Sequence, residues 1–330
     1  MNTSRSSYAG YLYIVLCALI FSFMEVALKL TGGIFRPMQI TALRFLIGGS
    51  VLLPFAIRSV KRHGAHFTRA DAGFFALLGF LFVCVAMTCY QLAVASTQAS
   101  VVAVLFSCNP IFITILAGWH LREPVHKNHI LALCLEAAAV LLIIDPPHAR
   151  LNPRGVAFAL LSAGLFSFYS VLGKKRAARF GGIAVTSFCS LFGGAELLAL
   201  LLIGHTAAGA AFFEAVRLPV FANVPILSGL TAAALPWLVY LGAVNTGLGF
   251  VFHMLAMEKT SAQTASLIFF LKPVLAPLFA LVVLREEIQP NMWGGILCFL
   301  VGSGIAILPG IVEERKKQRE AQQTNAPVST

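Results

Sequence analysis

Ten stretches of this chain are uniformly apolar, at 9–29, 37–57, 72–94, 98–118, 128–145, 153–173, 182–204, 231–257, 261–284 and 291–310. Each has about the 20 residues that a helix rising 1.5 Å per residue needs to cross a bilayer core. Most charged residues fall in the intervals between them or in the termini. Strands of a membrane barrel alternate apolar and polar residues, and these stretches do not. Backbone groups in hydrocarbon must find partners within their own segment or in a closed barrel. The pattern therefore predicts an all-α integral membrane protein of ten transmembrane helices.

The pattern also repeats. Leu121-Arg122-Glu123 returns 163 positions later as Leu284-Arg285-Glu286, and Pro110 returns as Pro273 at the same offset. Leu78-Gly79 returns as Leu241-Gly242, Leu92-Ala93 as Leu255-Ala256, and Thr97 as Thr260. The first two stretches align at offset 145, where Phe21-Ser22-Phe23 matches Phe166-Ser167-Phe168 and Gly48-Gly49 matches Gly193-Gly194. The chain thus reads as two copies of one unit, 1–145 and 153–310, joined by the proline-rich link Asp145-Pro146-Pro147-His148-Ala149-Arg150. Five stretches per copy is odd, so the second copy enters the membrane from the opposite side, giving inverted-topology repeats. The change of offset places an insertion around 206–230, expected as an outer loop with a short interfacial helix. Residues 311–330 are charged and then polar, and are expected as a disordered cytoplasmic tail.

Composition agrees: 58% of residues are hydrophobic and 11% charged, against about 25% charged in soluble domains. The net charge of +11 invites a nucleic-acid reading. Most Lys and Arg, however, fall on one side once the N-terminus is set in the cytoplasm, so the charge orients the helices and implies no nucleic acid. The expected location is the cell inner membrane, multi-pass, with both termini cytoplasmic and lipid as the surrounding partner. The 7 cysteines all sit within the apolar stretches without CxxC spacing, and read as packing residues. No soluble-enzyme motif occurs, and no metal or cofactor is called for. A homodimer is compatible with the sequence.

The informative residues are polar groups inside the stretches, because each is expensive there and faces a partner or a cavity. Glu25 has Lys29 one turn later, so the two can pair; alternatively Glu25 holds a proton or a substrate ammonium. Arg44 is read as a structural anchor paired with Glu25 or a helix end, since arginine keeps its charge. Pro110 and Pro273 remove backbone donors in mid-stretch and predict matched kinks near the membrane midplane. Asn109 and Lys272 precede them at equivalent positions. Lys272 can meet a substrate carboxylate or pair with Glu25 or Glu196. Tyr90, followed by Gln91, is equivalent to His253, which can relay protons or simply pack. Tyr169, Trp237, Tyr240 and Asn245 either line the same cavity or, for Trp237 and Tyr240, anchor at the interface. Glu136 and Glu196 are isolated carboxyls without an assigned role. Glu123 and Glu286 are read as caps that lock neighbouring helices.

The chain resembles the EamA-type transporters of the drug/metabolite transporter superfamily over about residues 10–310. The residues carrying the resemblance are Phe21-Ser-Phe-Met-Glu-Val-Ala-Leu-Lys29, Ala42-Leu-Arg-Phe45, and the unit Asn109-Pro110…Arg122-Glu123 with its copy Lys272-Pro273…Arg285-Glu286. The resemblance implies inverted five-helix repeats, helices 1, 3, 4, 6, 8 and 9 around a central cavity, helices 5 and 10 at the periphery, and alternating access. Family members export amino acids, other small metabolites or drugs, and some exchange solutes. The chain departs from the family at Met24-Glu25, where a small polar and then an apolar residue are common, and at Arg122 and Arg285, which replace a frequent glycine.

The expected function is a secondary active transporter exporting a small polar or zwitterionic, amino-acid-like metabolite, with proton coupling through Glu25. The candidate substrate or ion contacts are Glu25, Asn109, Lys272, His253, Tyr90, Gln91 and Tyr169. Other readings are a facilitative exchanger or uniporter, a drug efflux carrier, a membrane-embedded enzyme and a passive channel. The enzyme would need clustered acid, base or metal ligands, and the channel rings of like residues; the sequence offers scattered singles.

Overall fold

A computed structural model describes residues 2–122, 127–144, 152–302 and 304–305, and among them every regular element is helical. In chain order the apolar helices are α1 (Ala9–Thr31), α2 (Pro37–Arg62), α3 (Arg69–Ser96), α4 (Ala99–Leu121), α5 (Ile130–Ile143), α6 (Pro153–Phe180), α7 (Gly182–Ile203), α8 (Leu235–Lys259), α9 (Ile268–Leu284) and α10 (Pro290–Gly302). Seven of them are long and apolar enough to cross a membrane, and α5, α9 and α10 are shorter. Large side chains such as Leu77, Trp119 and Val282 point outward and are more than half exposed. An apolar exterior on this scale is what a lipid solvent requires.

Several helices outrun the apolar stretches that predicted them, among them α2, which runs to Arg62, past 57. Thr68 caps α3 by accepting from Asp71 N–H while Asp71 reaches back to the Thr68 N–H, so α3 starts at Arg69, ahead of 72. The charged turn of α6 through Arg179 stays helical to Phe180, past 173, because helices continue beyond the hydrocarbon where their side chains are hydrated. The insertion folds as a helix, Ala207–Ala215, whose Phe213 is buried and Phe212 exposed. The Gln39 amide at the start of α2 pins the same segment by donating to the Ile226 and Ser228 carbonyls, at 3.1 and 2.7 Å.

The close approaches between helices obey a two-fold relation. A Cβ on Gly48 of α2 would come within 2.7 Å of the Gly242 carbonyl oxygen of α8, and one on Gly79 of α3 within 2.8 Å of the Gly193 nitrogen of α7. Gly48 is the sequence equivalent of Gly193, and Gly79 of Gly242, so the two crossings are copies of one another. Only glycine fits where backbones touch. The relation recurs at the helix starts: Gly10 meets Lys259 and Thr260, and its counterpart Gly155 meets Ser96 and Thr97.

Four helices that carry buried polar residues, α1, α3, α4 and α8, are interrupted or widened, whereas α2 and α6 run through. α1 bends at Phe23, between segments Asn2–Ser22 and Met24–Thr31. Ser22 donates back to the Ala18 carbonyl at 2.6 Å, a bond that favours bending. The Ile20 carbonyl accepts from Tyr240 Oη at 2.9 Å and Asn245 Nδ2 at 3.2 Å, both on α8. α4 breaks at Ser107-Cys108, between Ala99–Phe106 and Asn109–Leu116. α3 and α8 widen to π-helix over Phe80–Met87 and Tyr240–Gly249, and α4 and α9 end in π turns at Ala117–Leu121 and Ala280–Leu284. Both terminal turns close on a left-handed arginine, Arg122 at φ 55° and Arg285 at φ 54°.

Pro110 and Pro273, expected at matched kinks, stand in different local structures. Pro110 stands in the first turn of a new segment, where a missing N–H costs nothing. Pro273 lies inside a continuous helix, Ile268–Phe279, and the chain breaks earlier, at Ser266-Leu267 after the short helix Ala262–Ala265. In α4 the side chains of Ser107 and Asn109 take up local carbonyls and stabilise an interruption beside the proline; α9 has Phe270 and Lys272 at those positions.

Candidate functional site

The bend in α1 puts Glu25 into the first turn of the second segment, buried to 1% exposure. Its Oε1 is 2.5 Å from Lys272 Nζ on α9, which is wholly buried. Tyr90 Oη on α3 donates to the same Oε1 and lies 3.5 Å from Lys272 Nζ. The lysine ammonium also sits over the Phe106 ring at 4.7 Å and the Tyr90 ring at 5.6 Å. Burying two charges costs several kcal/mol each, which mutual attraction offsets only with tight geometry and further hydrogen bonds. Here Tyr90 supplies the bond and the two rings bring favourable electron-rich faces. The pairing is incomplete, because Glu25 Oε2 is buried without a hydrogen-bond partner.

Three of the sequence candidates, Glu25, Tyr90 and Lys272, thus converge from α1, α3 and α9. The expected pairing of Glu25 with Lys29 is corrected: Glu25 turns inward to Lys272, and Lys29 lies one turn further along, in a cleft. The cleft holds about 180 Å³ and is walled by α1, α2 and α3, with Leu28, Lys29, Ile40, Gln91 and Val94 among its lining. Gln91 Oε1 is buried without a partner. Leu28 and Lys29 on α1 lie within about one turn of Glu25, Gln91 and Val94 on α3 within about one turn of Tyr90, and Ile40 on α2 one turn from Arg44.

The pairing expected for Arg44 is also corrected. No carboxylate among the described residues lies within salt-bridge distance of it; its NH1 donates to Met24 Sδ at 3.5 Å and its Cζ sits 4.6 Å over the Phe45 ring. Its Nε and NH2 are buried without partners. The bend of α1 that commits Glu25 to Lys272 presents Met24 to the guanidinium instead.

Asn109 is in another place. Pro110 has no proton for the Phe106 carbonyl, and Asn109 Nδ2 donates to it at 2.5 Å. Ser167 on α6 donates to Asn109 Oδ1 at 2.7 Å. Asn109 therefore mends the break and ties α4 to α6. His253, fully buried, has its Nε2 at 3.0 Å from Ser170 Oγ. The Ser170 hydroxyl also faces the Phe166 carbonyl at 2.9 Å, and His253 Nδ1 is buried without a partner. Its neighbours are the rings of Phe21, Phe166 and Phe269. Tyr169 stacks on Phe82 with centroids 3.9 Å apart, in the same aromatic core. The Glu136 carboxylate, also free of exposure, has no hydrogen-bond partner at either oxygen.

Both ends of the bundle are tied. At one end the Glu286 carboxylate accepts from the Ala99 and Ser100 N–H groups at 3.0 and 3.1 Å and from Ser100 Oγ at 2.8 Å, joining the end of α9 to the start of α4. Its repeat partner Glu123 lies outside the described residues. At the other end Asp71 is 3.1 Å from Arg176 and from Arg179, and Glu258 accepts from the Gly182 N–H.

A bundle with an apolar exterior, two-fold helix contacts and a buried ion pair between its halves agrees with what comparison finds. The EamA-like transporter family model matches residues 8–145 and again 153–308. The chain belongs to the EamA-like transporter family. It is 32% identical to an uncharacterized transporter of Clostridium kluyveri, covering 89% of this chain and 91% of that one. It is 23% identical to Protein PecM of Dickeya dadantii, over 76% and 77% of the two chains. A crystal structure with 19% identity superposes with a TM-score of 0.63, over 92% of this chain and 96% of the other, which supports the fold. The chain is therefore a multi-pass membrane protein of a transport family.

Family membership also explains a feature the residues alone left open. Arg122 and Arg285 both occupy the left-handed conformation that glycine adopts without cost, which fits the glycine that the resemblance leads one to expect there. Sequence reading missed that Asn245 and Tyr240 share one carbonyl of α1. The Phe-Ser-Phe motif could not have signalled it, because its copy at Phe166-Ser167-Phe168 lies in an unbroken helix.

Proposed function

We propose that this chain is a secondary active transporter of the cytoplasmic membrane that exports a small polar or zwitterionic, amino-acid-like metabolite by alternating access. Ten spans cross in inverted repeats with both termini in the cytoplasm, so the Glu286 end faces outward and the Asp71 end inward. The observation that carries the reading is the buried Glu25–Lys272 pair with Tyr90 bridging it. Opposite charges held together in a closed site form a self-neutralised version of a zwitterion's binding site. A substrate ammonium takes the place of Lys272 at Glu25, and its carboxylate takes the place of Glu25 at Lys272. The exchange keeps every charge paired, which a low-dielectric site demands. Proton coupling fits the same group: protonation of Glu25 frees the ammonium.

The test begins by comparing metabolites released by overexpressing and deletion cells, which identifies the cargo. Its transport is then followed in proteoliposomes. The wild type responds to an imposed pH gradient, and Glu25→Gln loses that response. An unchanged gradient response in Glu25→Gln removes Glu25 from coupling.

A further inference from the structure

Arg44 is a buried charge left over once Glu25 and Lys272 have paired. It has no solvent exposure, two of its guanidinium nitrogens lack partners, and its nearest polar contact is a thioether sulfur. Glu25 and Tyr90 lie within electrostatic reach of it but not in contact. A guanidinium holds its charge at any ordinary pH, so it cannot escape burial by deprotonating. An unpaired buried charge is among the most costly arrangements a membrane protein can hold, and one that persists marks a ligand or ion pathway.

The charges around this point do not sum to zero. Glu25 contributes one negative charge, and Lys272 and Arg44 one positive charge each. Lys29 lines the cleft half-buried, within electrostatic reach of Glu286, and those two opposite charges cancel in the sum. The cleft approaches Arg44 along α2, where Ile40 in its wall is one turn from Arg44. It approaches Glu25 through Leu28 on α1 and Tyr90 through Val94 on α3.

We infer that Arg44 is an unfilled anion subsite of the transport site, and that the cargo is an amino-acid-like zwitterion bearing a second acidic group. The inference rests on the zwitterion reading above and extends it. The ammonium meets Glu25, the first carboxylate meets Lys272, and the second carboxylate meets the free edge of Arg44. A cargo with one net negative charge neutralises the cluster; a neutral amino acid leaves Arg44 as exposed to the core as it is now. Guanidinium and carboxylate match as a two-bond fork, the strongest pairing available to an arginine.

The test uses the purified full-length protein and two pairs of probes that differ only in that second acid: glutamate against glutamine, and aspartate against asparagine. Thermal unfolding is measured with and without each probe, for wild type and for Arg44→Gln. The expected result is that at least one acid stabilises the wild type with about ten- to a hundredfold greater affinity than its amide, and that Arg44→Gln removes the difference. Equal stabilisation by acids and amides overturns the role of Arg44 and leaves the zwitterion reading standing. No stabilisation by any of the four overturns both. The unliganded proteins give a second readout that needs no ligand. A structural anchor stabilises, so its loss lowers the unfolding temperature. An unfilled subsite carries an uncompensated charge, so Arg44→Gln leaves the unfolding temperature of the empty protein unchanged or raises it. A fall of several degrees, with acid preference retained, returns Arg44 to a purely structural role.

Discussion

In the first half of the molecule the carbonyl of Phe106 faces a proline with no proton to give, and the neighbouring Asn109 gives one from its side chain. In the second half Lys272 stands at the position equivalent to Asn109, before the equivalent Pro273, and reaches across to Glu25. One copy spends its polar residue on its own backbone; the other sends it to the opposite copy. A second pair of equivalent positions diverges in the same manner. Tyr90 joins the ion pair, whereas His253 bonds to Ser170 among aromatic rings. Duplication supplied the frame twice, and the site was built from positions where the copies then parted.

The largest expected effect comes from splitting the pair that crosses between the halves. Glu25→Gln or Lys272→Met alone leaves one buried charge without its partner and should cost about 3–5 kcal/mol. The double variant should recover most of that stability and still fail to transport. Thermal unfolding in detergent, followed by flux in proteoliposomes, measures both; single variants as stable as wild type would mean that the pair is not formed in the membrane.

A smaller effect is expected in the first half. Asn109→Ala removes the bonds to Phe106 and Ser167 and should cost about 1–3 kcal/mol, since the buried Phe106 carbonyl is left unsatisfied while Ser167 keeps its bond to the Ala163 carbonyl. Its transport defect should scale with lost stability. If transport vanishes while the unfolding temperature stays at the wild-type value, Asn109 belongs to the cargo site and the contrast between the halves fails.

The smallest effect tests where the copies agree. Arg122 and Arg285 hold left-handed backbone within one degree of each other, at φ 55° and 54°. Replacing Arg285 by glycine should relieve up to about 1 kcal/mol of backbone strain without altering transport. A loss of stability would show that its side chain holds something the backbone does not reveal.

The frame was legible in the sequence because lipid leaves few options. Runs of apolar residues without alternation can only be helices there, and the offset of 163 between Leu121-Arg122-Glu123 and its copy reappears as paired π turns. Glu25, Tyr90 and Lys272 were each legible as costly polar residues. The Glu25–Lys272 pairing stood among several alternatives, and the sequence did not choose between them. Glu25 had a sequence neighbour at i+4 in Lys29 and a distant choice in Lys272, and the bend at Phe23, held by Tyr240 and Asn245 from α8, turns it to the distant one. The same turn leaves Arg44 without the carboxylate that sequence reasoning gave it. Helix ends were misjudged where charged turns of α3 and α6 remained helical in water, because an apolar window registers only the part inside lipid.

The glycine crossings carry a consequence for movement. Side chains on packed helices mesh like gear teeth, and meshed surfaces resist rotation. Where Gly48 meets Gly242, and Gly79 meets Gly193, backbone rests on backbone with no teeth between. Each crossing joins one helix of the first copy to one of the second, so the two contacts act as a matched pair of smooth bearings. If the two copies rock as proposed, a bulkier residue at either crossing would jam one bearing and leave its twin free, so that the motion tilts to a single side.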